Sequence, residues 1–144
     1  MWKASPGLCD HVARNGSYLS ALNGLVLRIY GGAEPASSAG STQSNTMLCE
    51  IKPDGAGLNF EAGGSPGVIS KDAAQVWSSL EAAAGTATFF RLEAVDDAGD
   101  EDSMAIRIQG SVGAVSGDMI LSNTTFEVGS PRTIKHFNVV IPSI

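Results

Sequence analysis

Gly63-Gly64-Ser65-Pro66-Gly67 spells G-x-S-x-G, the pattern that in hydrolases sets a nucleophilic serine on a sharp strand-to-helix turn, with the N–H of the next residue in the oxyanion hole. Proline at position 66 has no N–H to give, and nothing after it reads as a helix, so the pentapeptide is a turn and a serine hydrolase is rejected. His11 and His136 are the side chains that act as bases near neutral pH without a large shift. Both have plain structural readings, His136 in a strand between Lys135 and Phe137 and His11 in the polar run Asp10-His11. Cys9-x-His11 with Cys49 and His136 would supply four zinc ligands, but structural sites bring two close ligand pairs and this set has one, so Cys9 and Cys49 read as isolated thiols. Glu93, Asp96, Asp97, Asp100, Glu101 and Asp102 crowd carboxylates of the kind calcium prefers, yet Gly99 comes too early for an EF-hand loop and strand patterns flank it. A solvated hairpin tip is the expectation. Paired carboxylates for glycoside hydrolysis would need an aromatic-lined cleft, and the two Trp, two Tyr and five Phe look committed to a core. No catalytic residue, metal ligand or cofactor is therefore assigned, and the chain is expected not to be an enzyme.

The elements that position these residues follow from composition. A chain of 144 residues that is 43% hydrophobic fits one domain. A domain of ~150 residues buries ~70% of its unfolded surface around a single core. Seventeen glycines with 17% charged residues indicate tight turns between short elements, an all-β character. A net charge of −6 and a pI near 4.7 argue against nucleic acid as a partner, since that affinity comes from clustered Lys and Arg. No stretch approaches the ~20 apolar residues of a membrane span, and the N-terminus lacks the apolar run of a secretory signal. Two cysteines are too few for a disulfide framework and leave one optional bridge in a default reducing compartment.

Residues 1–24 place Leu8, Val12, Leu19 and Leu22 at loose helical spacing, punctuated by Gly16 and Gly24, and read as an N-terminal helical arm ahead of a β domain over 25–144. Strands are expected over Leu25–Tyr30, Thr46–Ile51, Leu58–Phe60, Val68–Ser70, Thr86–Val95, Met104–Ser111, Met119–Leu121, Thr125–Val128 and, as one piece, Thr133–Ile141. Lys71–Ala84 fits both periods and is read as a short helical turn leading into a strand. The run 31–45, nearly all small or polar, is expected to be a long, exposed, flexible loop. Short strands separated by turns every ~8–12 residues make a β-sandwich or jelly-roll-like domain. Phe89-Phe90 must point to opposite faces of its strand, one into the core and one toward a second layer or a partner. Trp2 and Tyr18 pose the same alternative for the arm, tucked onto the parent domain or used as anchors on another subunit.

Three segments, SYLSALNGLVLRIYGGAEPAS, AAAGTATFFRLEA and IQGSVGAVSGDMILSNTTFEVGSPRTIKHFNVVIP, resemble small proteins encoded among the structural genes of tailed bacteriophages. The shared features are Ser20-Ala21-Leu22-Asn23-Gly24, Gly85 to Arg91, and Gly110 through Pro142, mostly turn glycines and apolar positions. The resemblance implies a virion component made in the host cytoplasm, most simply a cement or decoration protein on the capsid surface, with the major capsid protein as partner. Copies of itself are a further expected partner, as a dimer or trimer, because a sandwich must protect its edge strands. Trp2, Leu8, Val12, Tyr18, Leu19 and Leu22 of the arm are the expected partner-binding residues. Rival readings are a tail or head-to-tail junction protein and a carbohydrate-binding β-sandwich module with Trp77 as its platform.

Overall fold

The computed structural model describes residues 2–141. Lys3–Ala4 form strand β1, and buried Ser5 then caps helix α1 (Pro6–Arg14), its hydroxyl accepting from Leu8 N at 3.1 Å with Pro6 in the first turn, where its missing N–H costs nothing. A reciprocal capping box of Ser17 and Ser20 starts helix α2 (Tyr18–Leu22). Strands β2 (Val26–Gly31), β3 (Met47–Ile51), β4 (Phe60–Ala62), β5 (Val68–Lys71), β6 (Trp77–Leu80) and β7 (Gly85–Glu93) follow, with a 3-10 turn at Pro53–Gly55. The chain ends in β8 (Ile108–Gly113), β9 (Met119–Ile120), β10 (Thr125–Phe126), β11 (Pro131–Ile134) and β12 (Asn138–Val140).

The fold is mostly β, as its composition predicts, with the short helical N-terminus expected from the spacing of Leu8, Val12, Leu19 and Leu22. The main sheet runs β1-β8-β7-β2-β3, with β10 added to β7 and β9 added in parallel to β8. Two small sheets, β11-β6 and β12-β5-β4, complete a sandwich-like layer. Alternation divides the main sheet into two faces. Leu27, Ile29, Phe90, Leu92 and Ile108 point into the core, where they meet Phe60, Trp77, Ile134, Phe137 and Val139 of the small sheets. Phe60, Trp77, Phe90 and Phe137 form its aromatic centre, with centroid separations of 5.3–6.4 Å in edge-on and tilted pairs.

Several expectations are corrected. Thr133–Ile141 is two strands, β11 pairing β6 and β12 pairing β5, because the chain bends at Lys135–Phe137 and changes sheets. Lys71–Val76 makes no helical turn: Asp72 closes an Asx turn by accepting from Ala74 N at 2.9 Å, and β6 begins at Trp77. β8 starts at Ile108 instead of Met104, so residues 94–107 are a long crossing loop. Pro142 and the two residues after it, the end of the expected domain, lie outside the described residues.

Candidate functional site

The face of the main sheet that turns away from the core is charged and yet buried. Register puts Arg28 beside Arg91, Arg91 beside Gln109 and Arg28 beside Glu50, and two-residue alternation adds Tyr30, Glu93 and Arg107 to the same face. Arg91, Arg107, Glu93 and Gln109 have no exposed surface and Arg28 is 8% exposed. Such burial is tolerable only when every charge has partners. Arg107 forms a fork on Asp97, both bonds at 2.7 Å. Arg28 reaches Glu50 at 2.8 Å and Glu93 at 3.2 Å, and Tyr30 donates to Glu93 at 2.6 Å. Arg91 donates to Gln109 at 2.9 Å, while its Nη1 and Glu93 Oε2 face each other at 4.0 Å without a hydrogen bond.

The guanidinium edges left over hold two loops down on this face. Arg91 donates to the carbonyl of Gly40, Gln109 to that of Pro35, and Arg28 to those of Val95 and Asp97, at 2.7–2.8 Å. Thr42 N to Gly99 O and Asp102 N to Ala39 O then join the loops to each other. Residues 32–46 are therefore not the free loop their composition suggests. Small side chains such as Ser37, Ser38, Ala39 and Gly40 let backbone carbonyls lie close against the arginines, which a bulky loop could not do. The acidic tip is likewise not simply solvated. Glu93 is fully buried and the Asp97 side chain is 6% exposed; Asp96, Asp100, Glu101 and Asp102 keep to water. Burial works against charge on Asp97, but Arg107 and the Gly99 amide outweigh it and hold its carboxyl below the usual carboxylate range. Burial pulls Arg91 below its ordinary value, with Arg107 adding to the effect against Glu93.

This network was missed from the sequence. Leu27-Arg28-Ile29-Tyr30, Arg91-Leu92-Glu93 and Arg107-Ile108-Gln109 each alternate apolar with polar, which ordinarily marks a solvated outer face. The available signal was three adjacent strands each placing arginine on one face, beside a long run of small residues.

The arm packs onto its own domain. β1 pairs with β8 at the sheet edge, Lys3 opposite Gln109, and Ser5 ties the arm to the crossing loop through Ala105 O at 2.6 Å and Arg107 N at 3.0 Å. Leu8 and Leu22, expected to bind a partner, are fully buried in the core and have no surface to offer. Trp2, Val12, Tyr18 and Leu19 are half-buried against that core, Trp2 meeting Tyr18 edge-on at 6.4 Å. Trp77 is fully buried, its indole N–H spent on Gln75 at 2.7 Å, so it is not a carbohydrate platform.

Ser65-Pro66-Gly67 occupies the β4–β5 hairpin, where Val68 N donates to Ser65 O and Gly67 takes φ 78°, a type II turn with Pro and Gly in their preferred places. His11 Nε2 lies 3.1 Å from Ser20 Oγ, joining the two helices, and His136 is exposed in the bend between β11 and β12. Both cysteines are free, Cys9 on the surface and Cys49 buried within β3, and among the described residues no three His, Cys, Asp or Glu converge as a metal-holding group. No helix among the described residues is long and apolar enough to cross a membrane. No protein-family model, curated protein or solved structure matches the chain.

What the surface does offer is apolar contact area. In the β6–β11 ribbon, Trp77 and Ile134 face the core, so Ser78, Leu80, Pro131 and Thr133 face out. Leu80, opposite Pro131, is 62% exposed, Val76 just before β6 is 70% exposed, and Val128 in the turn bonded to Glu81 is 71% exposed.

Proposed function

We propose that the chain is a structural protein of a tailed-phage virion that works by protein–protein contact, as a cement or decoration protein on the capsid surface. The observation that carries the reading is the outward apolar pair Leu80 and Pro131 on the β6–β11 ribbon, with exposed Val76 further along the same side and exposed Val128 in the adjoining turn. Grouped apolar residues on a surface mark a contact site, whereas single ones do not. Support comes also from the resemblance, whose central segment Gly85 to Arg91 is most of β7, the strand around which the main sheet is built. The two loops held on the charged face keep the domain in one shape before docking, so little ordering entropy is lost on binding. A cement protein stabilises a shell because rupture must first break the contacts it spreads across subunit boundaries.

Quantitative mass spectrometry of purified particles, counting this chain against the major capsid protein, tests the proposal. A ratio near stoichiometric is expected. A few copies per particle would move the protein to the tail or head-to-tail junction, and absence would overturn the virion role. Leu80→Glu, which adds a charge to the outward face, is expected to lower particle occupancy while leaving the fold intact.

A further inference from the structure

β9 and β12 belong to different sheets and do not pair with each other. Between them lies a groove. Its deep part, about 150 Å³, is floored by buried Phe90, Ile108, Phe137 and Val139, with Trp2 also on its lining. It continues into a shallower depression of about 420 Å³ between Met119–Ser122 on one wall and Arg132–His136 on the other, with Met119, Ile120 and His136 shared by both parts.

Both walls present unpaired backbone. Phe137 O accepts from Lys71 N and Ile141 N donates to Gly67 O, both at 2.8 Å, so these residues and Val139 turn their peptide groups to β5. Alternation turns those of Asn138 and Val140 to the opposite, open edge. Leu121 N is spent on Gly113 O at 3.0 Å, which turns the peptide groups of Ile120 away from β8. None of these outward N–H and C=O groups of Ile120, Asn138 and Val140 has a protein partner among the described residues. An exposed strand edge of this kind is a template for another strand.

We propose that this groove receives an extended segment of a partner protein, added as a strand to β12, with one large apolar side chain seated in the deep part and a carboxylate near Lys135. The inference deepens the protein-binding reading and rests on it. Volume sets the anchor: about 150 Å³ above an apolar floor, with Asp118, His136 and Asn138 also on the lining, has room for a single benzene-sized group. Main-chain bonds supply affinity and the pocket supplies selectivity, as in other strand-addition complexes. Charge sets the flank. Arg132 on the wall is already paired with Glu81 at 2.8 Å, and Asp118 on the lining of the deep part accepts from the Ser111 amide and hydroxyl. Exposed Lys135 has no ion pair among the described residues. It lies in the bend between β11 and β12 and lines the shallow part of the groove beside His136, so the carboxylate belongs on that side of the anchor, within about two residues of it.

The probe is a fluorescein-labelled decapeptide of alternating threonine and valine, with a central phenylalanine and a glutamate two residues away. Binding to the intact protein is followed by anisotropy and by amide NMR. Shifts and slowed hydrogen exchange are expected at Ile120, Asn138 and Val140. Replacing the phenylalanine by alanine is expected to weaken binding at least about tenfold, roughly 1.4 kcal/mol. N-methylation along one edge of the peptide is expected to abolish binding, and along the other edge to leave it unchanged. Lys135→Glu, at an exposed position, is expected to reverse the preference from the glutamate peptide to its lysine counterpart. No perturbation of the groove amides at millimolar peptide, or equal binding by peptides methylated on either edge, overturns the proposal. Particle counts are independent of this experiment: peptide binding by a chain absent from particles would remove the virion role alone, and a silent peptide with full occupancy would remove the groove alone.

Discussion

Arg107 has no exposed surface, and its fork holds Asp97 while its Nε lies 3.8 Å from Glu93. Arg107→Ala would leave the Asp97 carboxylate without its main cation and Glu93 with Arg28 as its hydrogen-bonded one, and losing one partner of a buried pair costs about 3–5 kcal/mol. A fall of that size in unfolding free energy, read from the urea midpoint, is the expected outcome. Asp97 makes the same network sensitive to acid. Because its folded carboxyl sits below the unfolded value, the native state holds fewer protons than the unfolded chain as the pH drops. Its contribution is therefore complete above the unfolded value near 3.8 and is lost as pH falls through the lower folded one. Asp97→Asn is expected to be less stable at pH 7 and to show a smaller drop in stability between pH 7 and pH 2. The thiols differ in the same physical terms: burial, with the Glu81 charge, pushes Cys49 up to about 11, while Cys9 is exposed. One equivalent of Ellman's reagent is expected to react at pH 8 in the native protein and two after denaturation.

At the scale of elements, helix α1 lies so close to the crossing loop that a Cβ on Gly7 would fall 2.1 Å from Met104 O, and Gly7 N donates to Ser103 O at 2.8 Å. Gly7→Ala, stabilising in an open helix, must here displace the helix from the loop. A loss of about 1–3 kcal/mol is expected, the usual range for overpacking, with thermal unfolding as the measurement. Such close approaches explain what the sequence could and could not tell. Strong alternation with β-branched residues made β2, β3 and β7 legible, and Pro66-Gly67 made its turn legible, because those signals are local. The split of Thr133–Ile141 was not, since only the positions of β5 and β6 decide where the chain changes sheets. The loop over 32–46 misled for a related reason: what orders it is Arg91 of β7 and Arg107 at the end of the crossing loop, far away in the chain. Within the arm, periodicity found Leu8 and Leu22 as apolar positions but carried no information on whether they face this chain or another.

For the whole molecule, one core takes in the arm, the main sheet and both small sheets. Trp2 reports on the arm and Trp77 on the aromatic centre, so a molecule that unfolds as one unit gives a single midpoint from both. Tryptophan fluorescence of the wild type and of Trp2→Phe is expected to coincide with far-UV circular dichroism across a urea titration. An earlier transition seen only when Trp2 is present would mean that the arm detaches on its own. The same continuity governs the proposed roles, since Trp2 lines the groove between β9 and β12 and ties that site to the placement of the arm.

The pairing of β1 with β8, Lys3 against Gln109, also orders events during synthesis. β1 has no partner until β8, roughly a hundred residues further on, has been made, and Arg91 and Arg107 reach the 32–46 loop only after a long stretch of intervening chain. Closing loops of that length before contacts reward it makes folding slow. Nascent chains therefore pass through a stage in which the main sheet has an open edge and uncovered charge, and an N-terminal fusion partner bulky enough to delay β1 should lower the soluble yield more than the same partner at the other end.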